Sequence, residues 1–149
     1  MSYLREIADS LALGLSAVSW GVSGTTVERR NWAAVDIDDM ASPVIFVTPG
    51  GAEITRVSRQ VSQTDYSANV FIGRHVSGDA DVDAMIDLAD QAMLNIRAHA
   101  WADDFPVGVT SPQSVAIELN PDDALNDRNV WRAVIEVTYR VFEADELPE

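Results

Sequence analysis

The sequence predicts one α+β domain, a mostly antiparallel sheet of five to six strands with two helices packed on one face. Three observations point there. Two segments carry apolar residues at spacings of three and four, several others alternate with a period of two, and short turn-rich stretches join the alternating segments. Laying both helices across one side of the sheet buries every apolar face at once. The chain has 149 residues, 47% of them hydrophobic, which is enough for one substantial core and too short for two. A single domain over residues 1–149 is therefore expected, with 143–149, EADELPE, as a loose acidic tail.

The first helix is read over residues 3–17, where Leu4, Ile7, Ala8, Leu11 and Leu15 share one face and Arg5, Glu6, Asp9 and Ser10 the other. A loop around Gly21, Ser23 and Gly24 closes it. Residues 26–35 alternate as a strand, with Arg29, Asn31 and Ala33 against Arg30, Trp32 and Ala34, and DIDDMAS follows as a turn. In PVIFVTPGGAEITRVSRQV the run 44–47 is apolar throughout, so that strand is expected to be buried on both faces. Pro49, Gly50 and Gly51 then read as a hairpin turn, returning along residues 54–62.

Residues 66–76 form the next strand, with Tyr66, Ala68, Val70 and Ile72 facing the core. The period then changes. Val82, Met85, Ile86, Ala89, Met93, Ile96 and Ala100 make one helical stripe, with Ser77 or Asp79 as cap and Asp81 and Asp83 near the positive end of the helix dipole. A loop holding Pro106, Gly108 and Pro112 leads to a strand over 114–119, then to the acidic turn NPDDALNDRN. The last strand, NVWRAVIEVTYRVF over 129–142, puts Trp131, Ala133, Ile135, Val137, Tyr139 and Val141 on one side. Extended, it reaches roughly 40 Å, against about 5 or 6 residues for an ordinary strand. Part of it is expected to pair with something beyond the core.

Composition removes several functions. No cysteine is present, so disulfides, thiolate metal sites and a cysteine nucleophile are excluded. The charge of -14 comes from 24 acidic residues against ten arginines and no lysine. Such a surface repels nucleic-acid phosphates unless the arginines are segregated on one face. All positive charge sits on planar guanidinium groups, which suit bidentate pairing with carboxylates of a neighbouring chain, although codon bias alone gives the same usage. No apolar run is long enough to span a membrane, and the N-terminus lacks the basic patch and pure apolar stretch of a signal peptide.

The tempting chemistry has plainer explanations. Asp79, Asp81, Asp83 and Asp87 begin like a calcium loop, but Ala84 stands where the turn needs glycine and Asp90 where a glutamate would reach the ion. A helix start with a solvated face fits them better. Asp122, Asp123 and Asp127 belong to a turn. GLSAV and GVSGT miss the nucleophile-elbow spacing, His75 and His99 stand apart from both, and no feature supports Glu118 with Glu136 as an acid–base pair. Gly50 and Gly51 lack the lysine of a phosphate loop. No catalytic, cofactor-binding or metal-binding residue is assigned. Arg29, Arg30, Arg56 and Arg59 lie on strands poor in core residues. They are either solvated side chains of a two-sided sheet or contacts to the acidic surface of another copy.

Taken together, the N-terminal amphipathic helix, PVIFVTPGGAEITRVSRQ, DYSANVFIGRHV leading into DVDAMIDLADQAMLNI, and the closing VWRAVIEVTYRVFE resemble the tail terminator, or tail completion, proteins of long-tailed bacteriophages. The resemblance covers nearly the whole chain in element order and includes no catalytic signature. It implies a hexameric ring that caps the tail tube, stops its polymerisation and presents the docking surface for the head. It also implies a sheet that lines or braces the ring, helices toward the outside, and no enzymatic activity. The expected partners are further copies of the chain, the tail tube protein and a head-side neck or connector protein, with genomic DNA passing the lumen unbound and no membrane involved. The expected location is the virion tail or neck, reached from the host cytoplasm during assembly.

On this reading the interface candidates are Arg29, Arg30, the hairpin tip at Pro49, Gly50 and Gly51, Arg56 and Arg59, and the even face of the last strand with Arg132, Glu136 and Arg140. The far end of that strand would then pair with the next subunit. A head-completion or neck connector ring is the nearest alternative. An acidic DNA-mimic inhibitor, binding a basic partner without a ring, is the alternative from another class, and a small metal-dependent hydrolase built on the aspartates is a third.

Overall fold

Helix α1 (Tyr3–Ser16) turns Ile7, Ala8, Leu11 and Leu15 into the core, as their spacing predicts. Ser10 and Ala12 are buried with them, against the placement of Ser10 on the polar side. Ser10 stands three residues after Ile7, so it shares the inward row. The computed structural model describes residues 3–31, 42–98, 112–119 and 130–144. The remaining elements are β1 (Thr26–Arg29), β2 (Val44–Arg56), β3 (Val61–His75), α2 (Asp79–Ala98), β4 (Ser114–Leu119) and β5 (Val130–Ala144).

The five strands form one sheet in the order β1-β2-β3-β5-β4. Only β1 against β2 is parallel, and the other three pairings are antiparallel. One face carries both helices. Ile45 and Val47 of β2, Ala68, Val70 and Ile72 of β3, and Trp131, Ala133, Ile135, Val137 and Tyr139 of β5 meet α1 and α2 there in a single cluster. The α+β class, the antiparallel bias and the common side of the helices agree with the expectation from sequence. Burial of Val44, Ile45, Phe46 and Val47 on both faces agrees too, with Phe46 stacked on Phe71 at 5.2 Å on the side away from the helices.

Several details differ. The chain does not turn at residues 49–51: β2 runs straight through to Arg56, with a register shift between Pro49 and Ala52, and the reversal falls at residues 57–60. The Pro-Gly-Gly signal is a β-bulge. Its fit depends on Gly50, where a Cβ would stand 2.5 Å from the Ser67 hydroxyl oxygen and 2.7 Å from the Ser67 carbonyl oxygen. Merging two expected strands in this way leaves three strands before α2 instead of four. Within the described residues β1 ends at Arg29, and residues 32–35, expected to continue it, lie outside them.

In α2 the inward row is Met85, Leu88, Ala89, Ala92 and Ile96, with Val82 and Met93 partly covered, while Ile86 is exposed. The expected stripe was rotated by a fraction of a turn, because Ile86 and Leu88 are both apolar and only packing selects between them. At its start, Ser77 donates its N–H and its hydroxyl to the Asp81 carboxylate at 3.0 and 2.8 Å. These bonds hold Asp81 below the ordinary carboxylate range. Neither Ser77 nor Asp79 is the cap: the Gly78 carbonyl accepts the first helical bonds, from Asp81 and Val82, and Asp81 reaches back to hold Ser77, while Asp79 to Asp90 are helical, not a calcium loop.

The loop after α1 is fastened to α2 by one side chain. Gln91 donates to the Ser19 carbonyl at 2.9 Å and accepts from the Gly21 N–H at 3.1 Å. β4 matches its expected bounds, and β5 runs two residues into the segment taken as a tail. The DIDDMA turn, the 120–129 turn with Asp122, Asp123 and Asp127, and His99 lie outside the described residues.

Candidate functional site

β2, β3 and β5 have 13, 15 and 15 residues, two to three times an ordinary strand. The far end of β5 pairs within its own chain: the register with β3 continues unbroken from Val130 opposite His75 to Ala144 opposite Val61. This corrects the expectation that a neighbouring subunit is needed to complete it. The three long strands instead extend together, forming an arm past the part of the sheet that the helices cover.

Every residue from 50 to 60 is exposed, including Ala52, Ile54 and Arg56, which lie on the helix side of β2. From Pro49 to Arg56 this makes a projection of roughly 23 Å at about 3.3 Å per residue. Within the arm Ser62 and Thr64 of β3 and Val141 of β5 are buried. Thr64 is buried between Ile54 and Val141, its partners on either side. β1 pairs with β2 at residues 44–47, and β4 pairs with β5 at residues 133–138. Among the described residues, no strand covers the outer edge of β2 beyond Val47 or of β5 beyond Thr138.

The expected interface residues divide into three groups. Arg29 and Arg30 brace the fold: Arg29 pairs with Asp9 of α1 at 3.0 Å, and Arg30 pairs with Glu28 and lies over the Phe46 ring at 5.1 Å. Pro49, Gly50 and Gly51 form the bulge at the root of the arm, where Ser67 accepts from the Gly51 N–H at 2.8 Å and donates to its carbonyl at 3.2 Å. Arg56 and Arg59 are at the tip, beside exposed Ile54 and Val57, which are 72% and 56% exposed. The sequence reading put the hairpin tip at Pro49, Gly50 and Gly51, and so missed that Ile54 and Val57 share the tip with Arg56 and Arg59.

Arg132, Glu136 and Arg140 do share the face opposite the helices, since they stand opposite Gly73, Asn69 and Asp65. Arg140 is tied up in an ion pair with Asp65 at 2.9 Å. Glu53, Glu118 and Glu136 are exposed on the same side, so this open face carries negative charge around the Phe46–Phe71 stack. Phe142, 60% exposed, extends it toward the end of β5.

A groove of about 440 Å³ between α2 and β4 is lined by Asp90, Met93, Leu94, Arg97 and Val115. A smaller one lies beside Gly21 and Gln91. Neither gathers a nucleophile with a base. Among the described residues, no three of His, Asp and Glu lie close enough together to hold a metal ion, and no helix is long and apolar enough to cross a membrane. Glu118 and Glu136 are diagonal neighbours on the exposed open face. No protein-family model matches the chain, and comparison with curated proteins gives no match.

Proposed function

We propose that this chain is a structural protein of a long-tailed bacteriophage, a tail terminator whose copies close into a ring that caps the tail tube. By the family resemblance the ring is a hexamer, stops tube polymerisation and gives the head-side neck protein its docking surface. The observation that carries this reading is the arm: three paired strands that extend past the helices, expose residues 50–60 and, among the described residues, have outer edges that no strand covers. The monomer leaves residues 50–60 of this projection in solvent, whereas a neighbouring copy or the tube protein can cover them.

The open face supports a role around DNA. Arg30 and Arg140 are each paired with a carboxylate, and Glu53, Glu118 and Glu136 face solvent. Lining a channel with this surface keeps a phosphate backbone from adhering as the genome passes. No catalytic role is proposed, and the protein acts in the virion after assembly in the host cytoplasm.

Polymerising purified tube protein with and without this chain tests the proposal. A terminator limits tube length at substoichiometric amounts and is found at one end of each tube. A head-side connector leaves the length distribution unchanged, and that result would replace the terminator reading. Light scattering on the purified chain gives the copy number. Arg59→Glu is expected to impair ring assembly while leaving the melting temperature unchanged. If Arg56→Glu and Arg59→Glu both assemble normally, the arm tip is not a contact.

A further inference from the structure

Large apolar side chains are exposed at few places among the described residues: Leu13, Ile54, Val57, Ile86, Leu94, Leu119 and Phe142. Two of these, Ile54 and Val57, are at the arm tip with Arg56 and Arg59. Another two, Ile86 and Leu94, lie on α2. Exposed Asp79, Asp83, Ile86, Asp87, Asp90 and Leu94 follow one another at helical spacing, so they form a single outward stripe, apolar at two positions and acidic at four, with Arg97 ending it in the last turn.

The two patches are opposite in charge, similar in apolar content and separate on the molecule. α2 packs against α1, β4 and β5, away from the tip of the β2–β3 hairpin. Patches that complement each other but sit at different places on one chain make a head-to-tail contact, which closes into a ring or continues as a filament. We propose that the arm tip docks on the acidic stripe of α2 of a second copy, Ile54 and Val57 meeting Ile86 and Leu94 while Arg56 and Arg59 face Asp83, Asp87 and Asp90. This rests on the ring reading above and names the surface that accepts the arm.

Charge at the rim of such a contact sets its salt dependence, and the apolar pairs at its centre hold it. The open face stays free for the lumen. Phe142, on the other side of the arm, takes no part.

The chain has no cysteine, so an engineered pair reports on this contact alone. Val57→Cys with Ile86→Cys in the full-length chain, oxidised and run without reductant, should give a ladder of covalent multimers. Val57→Cys with Glu118→Cys, which sits on the open face, should not. Arg56→Asp with Arg59→Asp, or Asp83→Arg with Asp87→Arg, should each weaken self-association by about tenfold or more, and all four changes in one chain should restore it. Suppose the unmodified protein associates, but the Val57–Ile86 pair ladders no better than the control and reversing the α2 charges has no effect. Then the stripe is not the acceptor, and the ring reading stands. If the unmodified protein holds monomer mass at every concentration and on the tube, both readings fall.

Discussion

Arg140 and Asp65 stand directly opposite each other on β5 and β3, with Nε donating to Oδ1 at 2.9 Å and Nη2 to Oδ2 at 3.3 Å. The hydrogen bonds from Arg140 hold the Asp65 carboxyl below its ordinary value, against the upward pull of partial burial. A carboxyl whose folded pKa is depressed stabilises the fold above its unfolded pKa of about 4 and loses that contribution as pH falls through the folded value. Both side chains are part-exposed, so solvent screening leaves the pair only a small contribution. Asp65→Asn should therefore melt slightly below the unmodified protein at neutral pH, and the gap should close as pH falls below about 4. Thermal melts across that range check it.

Gly50 and Gly51 are neighbours in sequence and opposite in tolerance. A Cβ on Gly50 meets the Ser67 carbonyl oxygen at 2.7 Å and its carbon at 2.9 Å, while one on Gly51 meets nothing within 4 Å. Backbone atoms cannot step aside, so Gly50→Ala must open the bulge, at a cost of about 1–3 kcal/mol. Gly51→Ala should change stability by under about 0.5 kcal/mol. Denaturant midpoints of the two variants decide it, and equal losses would mean that the bulge is not where the register places it.

Gln91 does from α2 what no residue of the loop does for itself, holding the Ser19 carbonyl and the Gly21 N–H together. Gln91→Leu keeps the helix and removes both bonds, so a loss of about 1–2 kcal/mol is expected. Amide exchange at Gly21 should quicken far more than exchange within α2.

Fold class was legible because burial imposes periods on the sequence: the apolar odd positions from Trp131 to Val141 and the stripe at Ile7, Leu11 and Leu15 each mark one inward face. Turn position was not. Pro49, Gly50 and Gly51 satisfy a bulge as well as a turn, while the reversal at residues 57–60 uses VSRQ, which has neither Pro nor Gly. The direction of β1 was also hidden, since four residues carry no mark of parallel pairing. For the candidate site, the arginines at 56 and 59 could be read as exposed. That Arg140 is taken up by Asp65, 75 residues away, needs a register that no local pattern encodes.

Ile135 and Phe142 lie on the same strand and separate the core from the arm. Ile135 is fully buried between Val70 and Ile117, whereas Phe142 is 60% exposed on the open face. A carboxylate at 135 would be desolvated without a partner, so Ile135→Asp should cost upward of about 4 kcal/mol, most of the stability of a domain this size. Phe142→Asp moves a solvated side chain and should stay within about 0.5 kcal/mol. Melting both variants by circular dichroism distinguishes two pictures of the molecule. A large loss for Ile135→Asp alone means that the arm's open face is surface in the free chain and available to another protein. A comparable loss for Phe142→Asp would mean that this part of the arm is already packed in the monomer, and the case for the arm as an assembly element would fail with it.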